Sequence, residues 1–345
     1  MDFKKKGVVL MAGYKDIIGN EQIKEHFKNA IRLNRVSHAY ILNGDKGMGK
    51  KMISKTFAMA LQCEKFDGEP CMECRSCRQA LTDNQPDIKY VTHEKPNVIG
   101  VDDIREQINN DIQIKPYSSR YKIYIVDEAE KMNVQAQNAL LKTIEEPPEY
   151  GIIILLTTNA EMFLPTILSR CVMLNMKYME NRQMREYLMQ KMEIPDYQAE
   201  VIIAFAGGNL GKAIRLATSD DFNELKGSVT HSLEYIDDME TYEVVQAVKQ
   251  CEKYKVDISD YIDLMMVWYR DVLVFKVSKN VGELTFKDEY GYIKEQSEKI
   301  SYNGLEAILT AMDKAKTRIR ANVNFDLAIE MMFLTIRDAL NGKEQ

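Results

Sequence analysis

The sequence predicts an α/β fold: a parallel sheet covered by helices on both sides, followed by a wholly helical C-terminal part. Three observations carry this. Short apolar runs alternate with helix-period segments from His38 to Met176, the pattern of strand–helix–strand units. The stretch HAYILNGDKGMGKK, His38 to Lys51, joins an apolar strand to a glycine-rich turn and then a helix, the setting a phosphate-binding loop requires. After Lys177 the strand pattern stops and helical periodicity runs to the end.

Taken in order, the chain carries a turn at Gly19 and a helix from Glu21 to about Leu33. His38 to Leu42 is the first strand, Gly44 to Lys51 the glycine-rich loop, and Ile53 to Leu61 an apolar-periodic helix running into a cysteine cluster. Ile88 to Thr92, between Pro86 and Pro96, reads as a second strand. Val101 to Ile112 is an amphipathic helix with Ile104, Ile108 and Ile112 on one face. Tyr121 to Val126 is the third strand, and Val134 to Glu145 a helix that Pro147-Pro148 stops. Ile152 to Leu156 is the continuous apolar run of a strand buried on both faces, and Cys171 to Met176 the last strand. Asn181–Met192, Gln198–Ala206 and Leu210–Ala217 are short helices around Gly207-Gly208, followed by a polar junction from Thr218 to Asp221. The remainder is helical, most clearly over Tyr242–Tyr254, Ile258–Val277, Tyr302–Arg320 and Phe325–Leu340. The expected organisation is a core over residues 1–177, a three-helix lid over 178–219 and a helical domain over 220–345.

With 345 residues the chain is long enough for two or three domains with real cores. It has 46 Lys and Arg against 52 Asp and Glu, a net charge of −6. Such a balance is poor for free-standing nucleic-acid binding, which needs clustered cations; any DNA contact is expected from a local patch or from partner subunits. No apolar run is long enough to span a membrane, and the start MDFKKKGVVLM is too short in its apolar part for an export signal. Met11 is an alternative start, with residues 1–10 a disordered extension. A cytoplasmic location is therefore expected, and in that reducing compartment clustered thiols bind metal more often than they pair.

Gly44 to Lys50 fits G-x-x-x-x-G-K. Gly44, Gly47 and Gly49 let backbone N–H groups face one anion, and Lys50 supplies a fixed cation. The next position should be the Ser or Thr whose hydroxyl holds Mg²⁺, and here it is Lys51. Its ammonium can pair with Asp127 and close the site. Asp127-Glu128 ends an apolar strand, where an ATPase would use the Asp to organise Mg²⁺ and the Glu to orient water; the blander reading is an acidic helix start. Cys63, Cys71, Cys74 and Cys77 follow C-x7-C-x2-C-x2-C. Four thiolates this close suit a closed structural Zn²⁺ site. An iron–sulfur cluster competes, because C-x2-C-x2-C resembles a ferredoxin run, and free thiols are the bland alternative. On local pattern Arg170, before the last strand, is an ordinary surface residue, and Thr158-Asn159 are polar residues ending a strand.

In combination, HAYILNGDKGMGK, the four-cysteine insert, IYIVDEAEKM, NALLKTIEEPP, LLTTN and LSRC resemble the bacterial clamp-loader subunits of DNA polymerase III. The resemblance is strong from Tyr14 to Ala217, and RIRANVNFDLAIEMMFL is similar to the family's last collar helices. It implies an AAA+ chain with a RecA-like core, a helical lid and a helical collar. It further implies a nucleotide-site role for Gly44–Lys50 and Asp127-Glu128, a sensing role for Thr158-Asn159, zinc on the four cysteines, and an arginine finger at Arg170 reaching a neighbour's ATP. The implied partners are gamma/tau and delta subunits and, through the complex, a sliding clamp and primed DNA.

Two departures bear on which member this resembles. Lys51 replaces the metal-binding hydroxyl residue, and Gly211 stands where the family's ATPase subunits carry a lid arginine that contacts the triphosphate; Arg215, one turn on, is an uncertain substitute. Both make ATP binding doubtful, while Arg170 is retained. The absence of a long tail after the collar points the same way. The expectation is a delta-prime-type stator, not an autonomous ATPase. The alternatives are an active gamma/tau-like motor and a zinc-bearing AAA+-like scaffold outside replication.

Overall fold

The computed structural model describes residues 13–218, 221–255, 258–321 and 323–342. The alternative start at Met11, the extension over residues 1–10, Ser219 and Asp220 of the polar junction, and Asn322 of the C-terminal motif lie outside the described residues. Contacts divide the chain into two units, one running to Glu180 and including Asn209–Lys212, the other comprising Asn181–Gly208 and the chain from Ala213.

The first unit is built on five strands: β1 (Ala39–Asn43), β2 (Ile88–Val91), β3 (Lys122–Val126), β4 (Gly151–Thr157) and β5 (Val172–Asn175). All pairings are parallel, in the order β2-β3-β4-β1-β5. Every residue of β4 is buried, as its unbroken apolar run requires of a strand covered on both faces. Successive side chains go to opposite faces. Ile152, Ile154 and Leu156 therefore join Tyr40, Leu42, Phe57 and Phe27 on one side. Ile153 and Leu155 join Ile41, Ile108, Leu140 and Ile144 on the other.

The helices of this unit are α1 (Glu21–Arg32), α2 (Lys50–Gln62), α3 (Arg75–Leu81), α4 (Val101–Ile104), α5 (Val134–Glu145) and α6 (Pro165–Leu168). The sequence predicts one continuous α-helix over Val101–Ile112. In the structure α4 passes into a wider π turn over Arg105–Asn110 and a tight turn over Asp111–Gln113. The wider turn keeps the isoleucine stripe on one face. Residues four apart in an α-helix advance by about 400°, so a stripe at that spacing drifts unless a turn widens. Ile104, Ile108 and Ile112 are all fully buried. Asn109 pins the wide turn, donating to the Ala139 carbonyl and accepting from Thr143 Oγ1, both at 2.9 Å.

The second unit is all helical: α7 (Asn181–Met192), α8 (Asp196–Ala206), most of α9 (Leu210–Thr218), α10 (Asp221–Glu234), α11 (Thr241–Cys251), α12 (Ile258–Ser278), α13 (Tyr290–Lys299), α14 (Tyr302–Arg320) and α15 (Phe325–Leu340). Helices α10 and α13 are not singled out by the sequence, because polar residues interrupt their apolar stripes. Their polar groups are used internally: Gln296 of α13 accepts from Trp268 Nε1 at 2.9 Å and donates to the Leu233 carbonyl at 2.7 Å. Trp268 is fully buried, as its apolar helix predicts. No helix among the described residues is long and apolar enough to cross a membrane.

Candidate functional site

Strand β1 ends at Asn43, and the chain turns through Gly44–Gly49 into α2. Gly47 and Gly49 have φ values of +94° and +90°, a region glycine enters without the Cβ clash other residues meet. Lys50, the first residue of α2, folds back so that its ammonium donates to the carbonyls of Gly44 and, at 3.0 Å, Asp45. Burial lowers its pKa, and the Glu130, Asp127, Asp45 and Glu128 carboxylates oppose that shift. The loop is thus buttressed from inside by its own lysine.

One strand separates β1 from β3, so the loop and the acids after Val126 leave the same edge of the sheet. They meet in a cleft of about 550 Å³ whose walls include Lys46, Lys50, Lys51, Asp127, Glu128 and Thr158. The Lys51 ammonium lies 2.7 Å from Asp127 Oδ2. Glu128 adopts a left-handed backbone conformation, with φ of +49°, and its carboxylate is 2.5 Å from the Lys131 ammonium. Lys131 also donates to the Pro96 carbonyl at 2.8 Å. Thr158 Oγ1 donates to Glu130 at 2.7 Å, and the other Glu130 oxygen is buried without a hydrogen-bond partner among the described residues.

The structure therefore brings Gly47, Gly49, Lys50, Lys51, Asp127, Glu128 and Thr158 to one cleft. Asn159 does not line it: its side chain accepts from the Glu161 amide at 2.9 Å and caps a short turn. Gly44 is set back at the start of the loop, where an added Cβ would lie 2.6 Å from the Met176 Cβ. Sequence reasoning missed Glu130 as a cleft residue. Its signal was present as the third acid of IVDEAEK, but spacing alone did not say that it would point back toward Thr158.

Arg170 is elsewhere, between α6 and β5. Its guanidinium pairs with Glu145 of α5 at 3.1 Å and donates to the Thr166 carbonyl at 3.1 Å. It remains partly exposed, at 41%. Gly211, in the first turn of α9, packs directly on the loop: an added Cβ would sit 2.2 Å from the Gly47 carbonyl oxygen. Arg215 pairs with Asp260.

The four cysteines converge between α2 and α3. Their sulfurs all lie within 4.8 Å of one another, and Cys71 and Cys77 are 4.0 Å apart. A tetrahedral ion with Zn–S bonds of about 2.3 Å sets its sulfurs a little under about 4 Å apart, so the donor set fits. Backbone amides of Cys71, Cys74 and Cys77 point at the Cys63, Cys71 and Cys74 sulfurs, each at 3.4 Å. Such donors stabilise thiolates. Burial pushes the Cys71 thiol up, but the Cys74 and Glu73 amides and the Cys63 and Cys74 side chains hold it down at about 7.

Residues 19–180 match the family described as DNA polymerase III, delta subunit. The tau subunit of DNA polymerase III from Bacillus subtilis (strain 168) is 28% identical over 332 residues, covering 89% of this chain and 58% of tau. The delta-prime subunit from the same strain is 26% identical over 314 residues, covering 90% of this chain and 94% of that protein. Among solved structures, a gamma subunit-related protein of DNA polymerase III from Thermotoga maritima aligns at 20% identity with a TM-score of 0.46, covering 93% of this chain and 99% of that one.

Proposed function

We propose that this chain is the delta-prime-type member of the AAA+ clamp-loader subunits of DNA polymerase III, a stator whose own nucleotide site is silent. The observation that carries the reading is the contact between Lys51 and Asp127. In an active subunit Asp127 would help hold a Mg²⁺ ion, which would supply neutralisation of the charge developing on the phosphates. Here the Lys51 ammonium pairs with the carboxylate that would organise the metal, and Lys51 itself stands where the metal-binding hydroxyl would be. Glu128, which would orient water, is engaged by Lys131.

Arg170 is the group this chain would lend to a neighbour. It does not line its own cleft, and Glu145 and the Thr166 carbonyl orient it at the surface. A guanidinium presented in this way can stabilise the charge on a γ-phosphate bound by an adjacent subunit. In this reading the partners are delta and gamma/tau subunits, and ATP bound by the motor subunits drives loading of a sliding clamp on primed DNA. The cysteine site is a structural zinc that ties α3 to α2.

The test is reconstitution with the other loader subunits. Arg170→Ala should leave assembly intact and lower DNA- and clamp-stimulated ATPase at the neighbouring site by about 10³-fold or more. Unchanged turnover overturns the finger assignment. The similarity to tau favours a second reading, an active gamma-like motor. Complexes in which this chain alone retains an intact Asp127-Glu128 pair separate the two: sustained ATP hydrolysis there selects the motor.

A further inference from the structure

We propose that Asn209–Lys212 is an intramolecular latch that holds the phosphate loop in one conformation without nucleotide. The inference rests on the silent-site reading only for its consequence, because the contacts stand by themselves. These four residues belong to the same compact unit as the loop.

Asn209 is buried and uses both ends of its carboxamide. Its Oδ1 accepts from the Lys212 amide at 3.1 Å and caps the first turn of α9. Its Nδ2 donates to the Lys46 carbonyl at 2.9 Å. The Gly211 amide donates to the Gly47 carbonyl at 3.2 Å. First-turn amides have no acceptor within their own helix, so α9 begins by using the loop as its acceptor.

Two glycines make the approach close enough. A Cβ at Gly47 would lie 2.9 Å from Asn209 Oδ1, and one at Gly211 would lie 2.2 Å from the Gly47 oxygen and 2.9 Å from its carbon. The obstacle in the second case is backbone, so relief requires the turn and the loop to part. Tyr178 adds a pin on the same loop, its hydroxyl donating to Asp45 Oδ2 at 2.5 Å.

Gly211 is therefore a docking position closed to any side chain, and an arginine cannot occupy it while the turn stays seated. The turn thereby engages the loop's carbonyls at two successive residues, Lys46 and Gly47.

Hydrogen exchange on the full-length chain tests this with two variants. Asn209→Asp keeps an oxygen for the helix cap but removes the donor to Lys46, separating the latch from the cap. Gly211→Ala forces the turn off the loop. Both should speed exchange of amides in peptides spanning residues 44–52 by about fivefold or more, the worth of one such bond, leaving peptides from β3 and β4 unchanged. Unaltered loop exchange in both variants overturns the latch, as does acceleration shared equally by the sheet. Titrating the wild-type chain with Mg·ATP separates the two claims. Tight binding ends the silent-site reading, whereas the exchange result alone decides the latch.

Discussion

Lys51 illustrates how far one residue can be read. Its position after the loop lysine is visible in the sequence, and so is the charge it would place near Asp127. That the two meet at 2.7 Å is a matter of strand order, which brings β3 within reach of the loop. Lys51 is largely exposed, at 71%, so the pair adds little to stability. Lys51→Thr should leave the thermal midpoint nearly unchanged and raise magnesium-dependent nucleotide affinity at least about tenfold, a gain of about 1.4 kcal/mol. Calorimetry showing no such gain would mean that the latch or Glu128, not the ammonium, closes the site. Gly211 was legible only as a missing arginine; its contact with Gly47 joins residues too distant in sequence for local pattern to pair. Asn159 matches a sensing motif, yet its side chain caps a turn, because an Asn at a strand end satisfies nearby amides first.

The elements were legible where one periodicity dominated. The apolar run of β4 and the capped, proline-stopped α5 could be placed from sequence. The π turn after α4 could not, since its signal is the drift of an isoleucine stripe. What anchors that segment is Asp111, which receives Lys89 at 2.7 Å, Lys122 at 2.9 Å and the Tyr124 hydroxyl at 2.7 Å. Burial pushes its carboxyl up, but Lys89, Tyr124 and Lys122 outweigh it and hold the carboxyl down at about 2. A depressed folded pKa stabilises above the unfolded value, near about 4, and the contribution fades as pH falls toward the folded one. The gap in urea midpoint between wild type and Asp111→Asn should be full at neutral pH and narrow below about pH 4. A gap that holds steady down to pH 3 would contradict this. For the cysteine element, metal analysis of the purified chain should return one zinc per chain, and Cys77→Ser should abolish it. Iron in its place would favour the cluster alternative.

At the scale of the whole molecule, each of the two units buries its own apolar core. Scanning calorimetry should then resolve two components, because separate cores do not unfold as a single two-state system. Chelation should shift only the component belonging to the unit that carries Cys63–Cys77. A single transition displaced as one would show the cores to be coupled. The chain also crosses into the first unit for four residues and leaves again, and this bears on synthesis. A nascent polypeptide released at Glu180 has every strand of the sheet but lacks the turn that grips the loop. During translation the loop must wait for residues up to Lys212 to emerge from the ribosome before it acquires its clasp.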